Sequence, residues 1–326
     1  MDKLTSILVV ANRNEADQNL LAKAVRLAKG IGARIHLFAC NAEQAYVLSH
    51  AYDSRGVENA RLASITECRA YLETLRRSVQ PVDVEISVDA ACESPLCAAI
   101  VRKALAIRAD LVMKSPSGAH PLRPFTLGSN DWELMRACPV TLMLIRARKW
   151  APQPRFAAMV DLSDRETPQL ARAIVHTSEY FMVACHGGLD LIYGDRGESG
   201  DAGRATLQGL AHEYRIEAAQ VHTVSGDPDV TLSEFAAQRD YDALVLGALT
   251  HRKGLAALVG TLTARLVDAL DCDFILVKAD TQDRSEQCVD PLVEPPPSED
   301  GSIEPSSSNP PRGSRRGVLW QGLFGD

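Results

Sequence analysis

The sequence predicts an α/β chain made of two tandem repeats, each a parallel sheet covered by helices on both faces. Three observations predict it. First, short apolar runs rich in β-branched residues alternate with amphipathic stretches along most of the chain, as strand–helix–strand units do. Second, one element occurs twice. Asp242-Ala-Leu-Val-Leu246 runs into Gly247-Ala-Leu-Thr250, and nine residues later comes Gly260-Thr261-Leu-Thr263. A degenerate copy reads Asp110-Leu-Val-Met-Lys114, Ser115-Pro-Ser-Gly118, nine residues, Gly128-Ser129. Asp110 to Gly128 and Asp242 to Gly260 are both 18 positions apart, so the chain carries a duplication. Third, 326 residues with 46% hydrophobic and 24% charged content suit two globular domains, each able to build its own core.

The elements follow in order. Residues 7–11 are a fully apolar run, read as a buried strand. Residues 17–29 place Leu20, Leu21, Ala24, Leu27 and Ala28 at helical spacing, and Gly30 and Gly32 are expected to stop that helix. Residues 34–40 are the second strand. A helix over 61–78 carries Leu62, Ile65, Leu72 and Leu75 on one stripe, with Pro81 beyond it. Residues 82–88 alternate with period two, as a half-exposed edge strand does. A helix over 95–107, a strand over 110–114, a helix over 130–137 and a strand over 139–146 complete the repeat. The second repeat has strands over 156–160, 189–193, 219–224, 242–246 and 274–278. Its helices cover 168–183, 205–214, 230–238 and 261–270, with Gly187-Gly188 as a helix stop. Pairing the halves sets Cys138 against Cys272 and Met113 against Leu246. The last strand of each half is the expected edge at which the halves, or two protomers, meet. The domain limits read from this are 1–150 and 151–280. The join is Arg148-Lys-Trp-Ala-Pro-Gln-Pro154, whose prolines oppose regular structure.

Residues 281–326 change in character. Pro- and Ser-rich stretches there cannot build a core, so a disordered tail is expected. Its end, from Arg315 through Trp320 to Phe324, reads either as an inert tail or as a short docking motif for a protein partner.

Composition excludes several classes. A net charge of −7 opposes a nucleic-acid footprint. The N-terminus has no signal-peptide pattern, and no apolar stretch approaches the ~20 residues of a membrane span. Eight cysteines without CxxC spacing read as buried thiols in a reducing cytoplasm. P-loop, nucleophile-elbow and HExxH motifs are absent, so no catalytic residue is assigned and the chain is not read as an enzyme.

The repeated element has the chemistry of an anion cradle. A small residue at a strand exit lets a ligand approach backbone, and a helix N-terminus offers N–H groups and a positive dipole end. In the second half Gly247, Thr250, Gly260, Thr261 and Thr263 would line it. Arg252 would meet phosphate oxygens, and Asp161 after the first strand would accept from an adenine or ribose edge. In the first half the same positions hold Asn12, Ser115, Gly118, Gly128 and Ser129. Asp161, Asp164 and Glu166 read either as Mg²⁺ ligands or as a solvated helix start.

On these residues, with Gly226-Asp-Pro228, Cys138-Pro139, Asp131-Trp132 and Arg148-Lys-Trp150, the chain resembles tandem universal stress proteins, the E type in particular. The resemblance covers residues 4–280. It implies two adenine-nucleotide α-hydrolase-like, Rossmann-like domains, each a five-stranded parallel sheet with flanking helices, folded together as a pseudo-dimer. It also implies a cytoplasmic, non-catalytic stress-response role with ATP, carried with Mg²⁺, or a related small molecule as the ligand. The family motif is Gly, two residues, Gly, nine residues, Gly-Ser/Thr, with an Asp after the first strand. Thr250 replaces its middle Gly in the second half. Ser115 and Asn12 replace its first Gly and its Asp in the first. The second half is therefore the expected site. A ligand-free interaction scaffold and a slow ATPase remain the alternatives, and a homodimer remains open.

Overall fold

A computed structural model describes residues 4–79, 83–116, 127–162, 168–195, 200–248 and 261–278. The first half runs β1 (Ser6–Val10), α1 (Ala16–Ile31), β2 (Arg34–Cys40), α2 (Ala42–Ser49), α3 (Ser54–Ser78), β3 (Ile86–Ala91), α4 (Leu96–Ala106), β4 (Leu111–Lys114), α5 (Ser129–Ala137) and β5 (Thr141–Leu144). The second runs β6 (Arg155–Val160), α6 (Pro168–Cys185), β7 (Gly188–Asp195), α7 (Gly200–Glu213), β8 (Val221–Ser225), α8 (Pro228–Ala237), β9 (Ala243–Gly247), α9 (Thr261–Ala269) and β10 (Asp273–Val277). The expected tail, 281–326, lies outside the described residues.

The two five-stranded parallel sheets join into one sheet of ten strands, ordered β3-β2-β1-β4-β5-β10-β9-β6-β7-β8. Neighbouring strands are parallel except β5 with β10, which are antiparallel. The strands expected to form the joint do form it. Their register is Phe274 with Leu144, Ile275 with Met143 and Leu276 with Leu142. Asp110 and Asp242 play the same part 132 residues apart. The Asp110 carboxylate accepts from the Thr5 and Ser6 N–H groups, and its own N–H donates to the Ser6 carbonyl at the start of β1. The Asp242 carboxylate accepts from the Arg155 N–H, and its own N–H donates to the Arg155 carbonyl at the start of β6. The same shift lays Gly128 on Gly260 and Lys114 on Leu246. The expected pairing of Cys138 with Cys272 and Met113 with Leu246 is therefore corrected: the counterpart of Cys138 is Leu270, and that of Leu246 is Lys114.

Central strands are apolar on both sides because both faces of the sheet are covered. In β1, Ile7 and Val9 point to a core shared with α1, α3, α6 and α7, while Leu8 and Val10 face α4, α5, α8 and α9. β3 lies at one sheet edge, as its alternation predicts, though three to four residues later than expected. Helix α2 escapes sequence reading because it buries none of its residues and so carries no apolar stripe. Helix α3 begins at Ser54 rather than 61, because the Asp53 side chain accepts from the Arg55 N–H and caps the start.

The two glycine stops work differently from expectation. Gly32 ends α1 in the left-handed region, at φ 70°, but Gly30 lies inside the helix. A Cβ at Gly30 would stand 2.0 Å from the Ala184 carbonyl oxygen, so Gly30 is there because α1 packs directly on the backbone of α6. After α6 the left-handed residue is His186, at φ 53°, not Gly187 or Gly188. A Cβ at Gly187 would meet the Pro154 carbonyl oxygen at 2.2 Å, so that glycine makes room for the inter-repeat segment.

That segment is pinned by side chains of both halves. Lys23 of α1 reaches across to Asp273 of β10, its Nζ 2.8 and 3.0 Å from the two carboxylate oxygens, with both residues buried. Asp273 also accepts from the Arg146 backbone N–H and from Trp150 Nε1–H, each at 2.7 Å. Arg26 donates to the Ala151 and Cys185 carbonyls. Asp242 accepts from the N–H groups of Ala151 and Arg155. Two cations related by the 132-residue shift cross the joint: Arg146 donates to the Val267 carbonyl in α9, and Lys278 to the carbonyls of Arg136 and Cys138 at the end of α5. Each sits where a helix C-terminus favours positive charge.

Candidate functional site

In an open parallel sheet, a ligand crevice forms at the carboxyl ends of adjacent strands whose following helices go to opposite sides. This fold has two such points, between β1 and β4 and between β6 and β9.

At the β6–β9 point, Phe156 to Ala158 pair with Ala243 to Val245, so the two strand ends lie side by side. Asp161 follows β6 directly and is partly exposed. Gly247 is the last residue of β9, and the Ala248 N–H continues the ladder to the Val277 carbonyl at 2.7 Å. Thr261 opens α9, and Thr263, in the first turn of that helix, is buried. Thr250, Arg252 and Gly260 lie outside the described residues, as do Asp164 and Glu166. The described residues thus bring Asp161 and Gly247 to neighbouring strand exits.

The β1–β4 point is filled by its own side chains. Asp17, in the first turn of α1, is buried, and one carboxylate oxygen accepts from the Asn12 N–H at 3.0 Å. The other accepts from the N–H groups of Arg13 and Asn14 at 2.8 and 3.2 Å and from the Tyr71 hydroxyl at 2.8 Å. Burial and this hydrogen bond to Asp17 push the Tyr71 phenol well above its ordinary pKa. Holding the loop to Asp17 takes Arg13 to φ 62°. The Asn12 side chain does not face outward for a ligand: its Nδ2–H donates to the Ser115 carbonyl at 2.6 Å.

The strand exit itself carries a buried ion pair. Lys114 Nζ lies 2.7 Å from Asp131 Oδ1 and also donates to the Ser115 carbonyl at 3.0 Å. Asp131 Oδ2 accepts from the Gly128 N–H, at the N-terminus of α5, at 3.0 Å. Both side chains are about as buried as any in the protein, 1% and 0% exposed. Ser129 is exposed, and the Ser115 hydroxyl is buried with no hydrogen-bond partner. Gly118 lies outside the described residues. Sequence reading missed Asp17 and the Lys114–Asp131 pair as site residues. The available signal was a lysine ending a strand that is otherwise apolar.

The shift of 132 residues sets Leu246 at the position of Lys114, Gly247 at Ser115 and Thr263 at Asp131. The second half therefore lacks both members of the ion pair. Its α9 has no acidic residue in the first turn, whereas α5 has Asp131.

Beyond these points, Gly226 leaves β8 at φ 126° and leads into α8. Among the described residues no group of three or more His, Cys, Asp or Glu is placed to hold a metal ion, and no helix is long and apolar enough to cross a membrane. Burial raises the thiols of Cys40, Cys97 and Cys185 to about 11 and that of Cys272 to about 12, against the chemistry of a reactive cysteine.

Comparison with known proteins agrees with this duplicated architecture. The Universal stress protein family matches residues 3–146 and 160–278. Universal stress protein E of Salmonella typhi is 23% identical over 297 residues, covering 84% of this chain and 94% of that protein. A universal stress protein E homolog of Haemophilus influenzae is 23% identical over 311 residues, covering 86% and 99%. Among solved structures, a functionally unknown protein from Pseudomonas aeruginosa superposes with a TM-score of 0.67 at 23% identity, covering 85% of this chain and 93% of its own. A universal stress protein from Archaeoglobus fulgidus gives 0.61 at 14% identity, covering 84% and 98%.

Proposed function

This chain belongs to the universal stress protein family, with two tandem domains of that family in one sheet, and we propose that it is a non-catalytic stress-response regulator binding ATP, carried with Mg²⁺, or a related adenine nucleotide in its second half. The domain limits we assign are 1–150 and 151–280, and the compartment is the cytoplasm.

The observation that carries the reading is the contrast between the two switch points. At β1–β4 the strand exit and helix N-terminus are already satisfied by Lys114, Asp131 and Asp17. At β6–β9 the equivalents of the ion pair are Leu246 and Thr263, and a carboxylate, Asp161, follows the strand. Among the described residues the first turn of α9 carries no acid, and a helix N-terminus favours an anion. Asp161 would take the adenine or ribose edge. Gly247 would admit the ribose against backbone, and Gly260, Thr261, Thr263, Thr250 and Arg252 would hold the phosphates. Binding, not hydrolysis, is the role we assign.

The first half acts in this reading as the structural partner of the second, joined to it through β5–β10 and the Lys23–Asp273 network. A protein partner would engage the segment from Arg315 to Asp326, and a homodimer would use surfaces beyond the β5–β10 joint.

Nucleotide extraction from the purified protein, with calorimetric titration of ATP, tests the proposal. Bound adenine nucleotide that Gly260→Val abolishes without unfolding the chain supports it. Absence of binding at millimolar ATP leaves the ligand-free scaffold as the reading.

A further inference from the structure

We infer that Asp131 is the residue that excludes anionic ligands from the first half: its carboxylate is a built-in anion that occupies the phosphate position of a degenerate nucleotide site. The inference deepens the reading above by fixing which half is closed and by which side chain.

Two of the donors on the Asp131 carboxylate are of the kind a phosphate takes. One oxygen receives the Gly128 N–H at the N-terminus of α5, a helix of 9 residues, and the other receives the Lys114 ammonium. A helix N-terminus plus a lysine is a recurring phosphate-binding combination. Here both point at an internal oxyanion. The pair is fully buried, so separating it would leave an uncompensated charge in the interior. A phosphate could enter only by displacing Asp131 against that cost.

Two further observations fit. The Ser115 hydroxyl stands at the strand exit, next in the chain to Lys114, 1% exposed and without a hydrogen-bond partner, as an unused donor of a former ligand site would be. The Asn12 amide, which follows β1 as Asp161 follows β6, is turned inward to the Ser115 carbonyl. Strand exit, helix start and first-strand loop are thus tied to one another.

Inorganic phosphate is the probe, read by the melting temperature and by calorimetry. Measurements are made on the full chain carrying Thr263→Asp, which places a carboxylate at the equivalent position of the second half and silences that site if it binds anions. In this background we expect phosphate to leave the melting temperature unchanged. Adding Asp131→Thr removes the carboxylate that the Lys114 ammonium and the Gly128 N–H share. Phosphate then raises the melting temperature with the logarithm of its concentration and titrates at one equivalent per chain. Asp131→Ser is the second variant should the threonine not fold. A folded Asp131 variant that gains no phosphate binding overturns the inference, as does phosphate binding in the Thr263→Asp background with Asp131 intact and insensitive to its loss. Because the gain is read in the first half, it stands or falls independently of whether the second half binds ATP.

Discussion

Replacing Lys23 by Met should destabilise both halves at once. Among the described residues the Lys23 ammonium is the side-chain cation paired with Asp273, whose carboxylate is 1% exposed at the start of β10 and also holds the Arg146 and Trp150 N–H groups. Removing one partner of a buried ion pair typically costs ~3–5 kcal/mol, because the other charge stays buried. At about 2–4 °C per kcal/mol for a body of this size, the melting temperature should fall by roughly 6–20 °C. The pH dependence has a definite sign. Burial lifts the Asp273 carboxyl above its ordinary value against the pull of Lys23, and without the ammonium it rises further. A carboxyl raised in the folded state keeps a proton that the unfolded chain releases, so its folded state is favoured at low pH. That advantage is lost as pH rises from the unfolded value through the folded one. The Lys23→Met defect should therefore be smallest near about pH 4 and full at neutral pH. Urea unfolding followed by far-UV circular dichroism and by tryptophan fluorescence measures this. Adding Asp273→Leu should recover most of the loss. A loss below about 1 kcal/mol, or a loss that grows toward acid, would refute the account of the joint.

Other outcomes follow from single positions. Gly30→Ala forces a Cβ against the Ala184 carbonyl and should cost ~1–3 kcal/mol in urea unfolding, while Gly209→Ala, in α7 with open space around its Cβ position, should gain about 0.5–1 kcal/mol. Equal effects at the two sites would contradict the close packing of α1 on α6. With the thiols of Cys40, Cys97, Cys185 and Cys272 raised to about 11 or 12 by burial, native protein at about pH 8 should label at least ~100-fold more slowly with a thiolate-specific reagent than unfolded chain. Rapid labelling of these cysteines without unfolding would contradict their burial. Thr263→Asp should abolish calorimetric ATP binding by supplying the second half with the carboxylate that closes the first.

Most of the fold was legible because both repeats announce themselves by periodicity. The runs at residues 7–11 and 242–246 are apolar on both faces, which a covered parallel strand requires. The joint was legible too, from the position of the last strand in each half. Illegible elements were those whose signals are tertiary. Helix α2 has no buried stripe to read. Gly30 looks like a terminator in sequence and is a packing contact in space. At the site, the spacing of Asp110, Ser115, Gly118, Gly128 and Ser129 pointed to a degenerate copy, but not to what filled it. That needed Lys114 and Asp131, 17 residues apart, to be seen meeting at 2.7 Å. It also needed the matching roles of Asp110 and Asp242 at the starts of β1 and β6, which set Leu246 and Thr263 in their places.

The two domains form an asymmetric pair, the second proposed to be open to a nucleotide and the first closed by its own carboxylate. Native mass spectrometry of the full chain with increasing ATP tests it most directly. We expect one nucleotide per wild-type chain, still bound in Asp131→Thr and lost in Thr263→Asp. Two equivalent nucleotides per chain, or one that survives Thr263→Asp and disappears with Asp131→Thr, would contradict it.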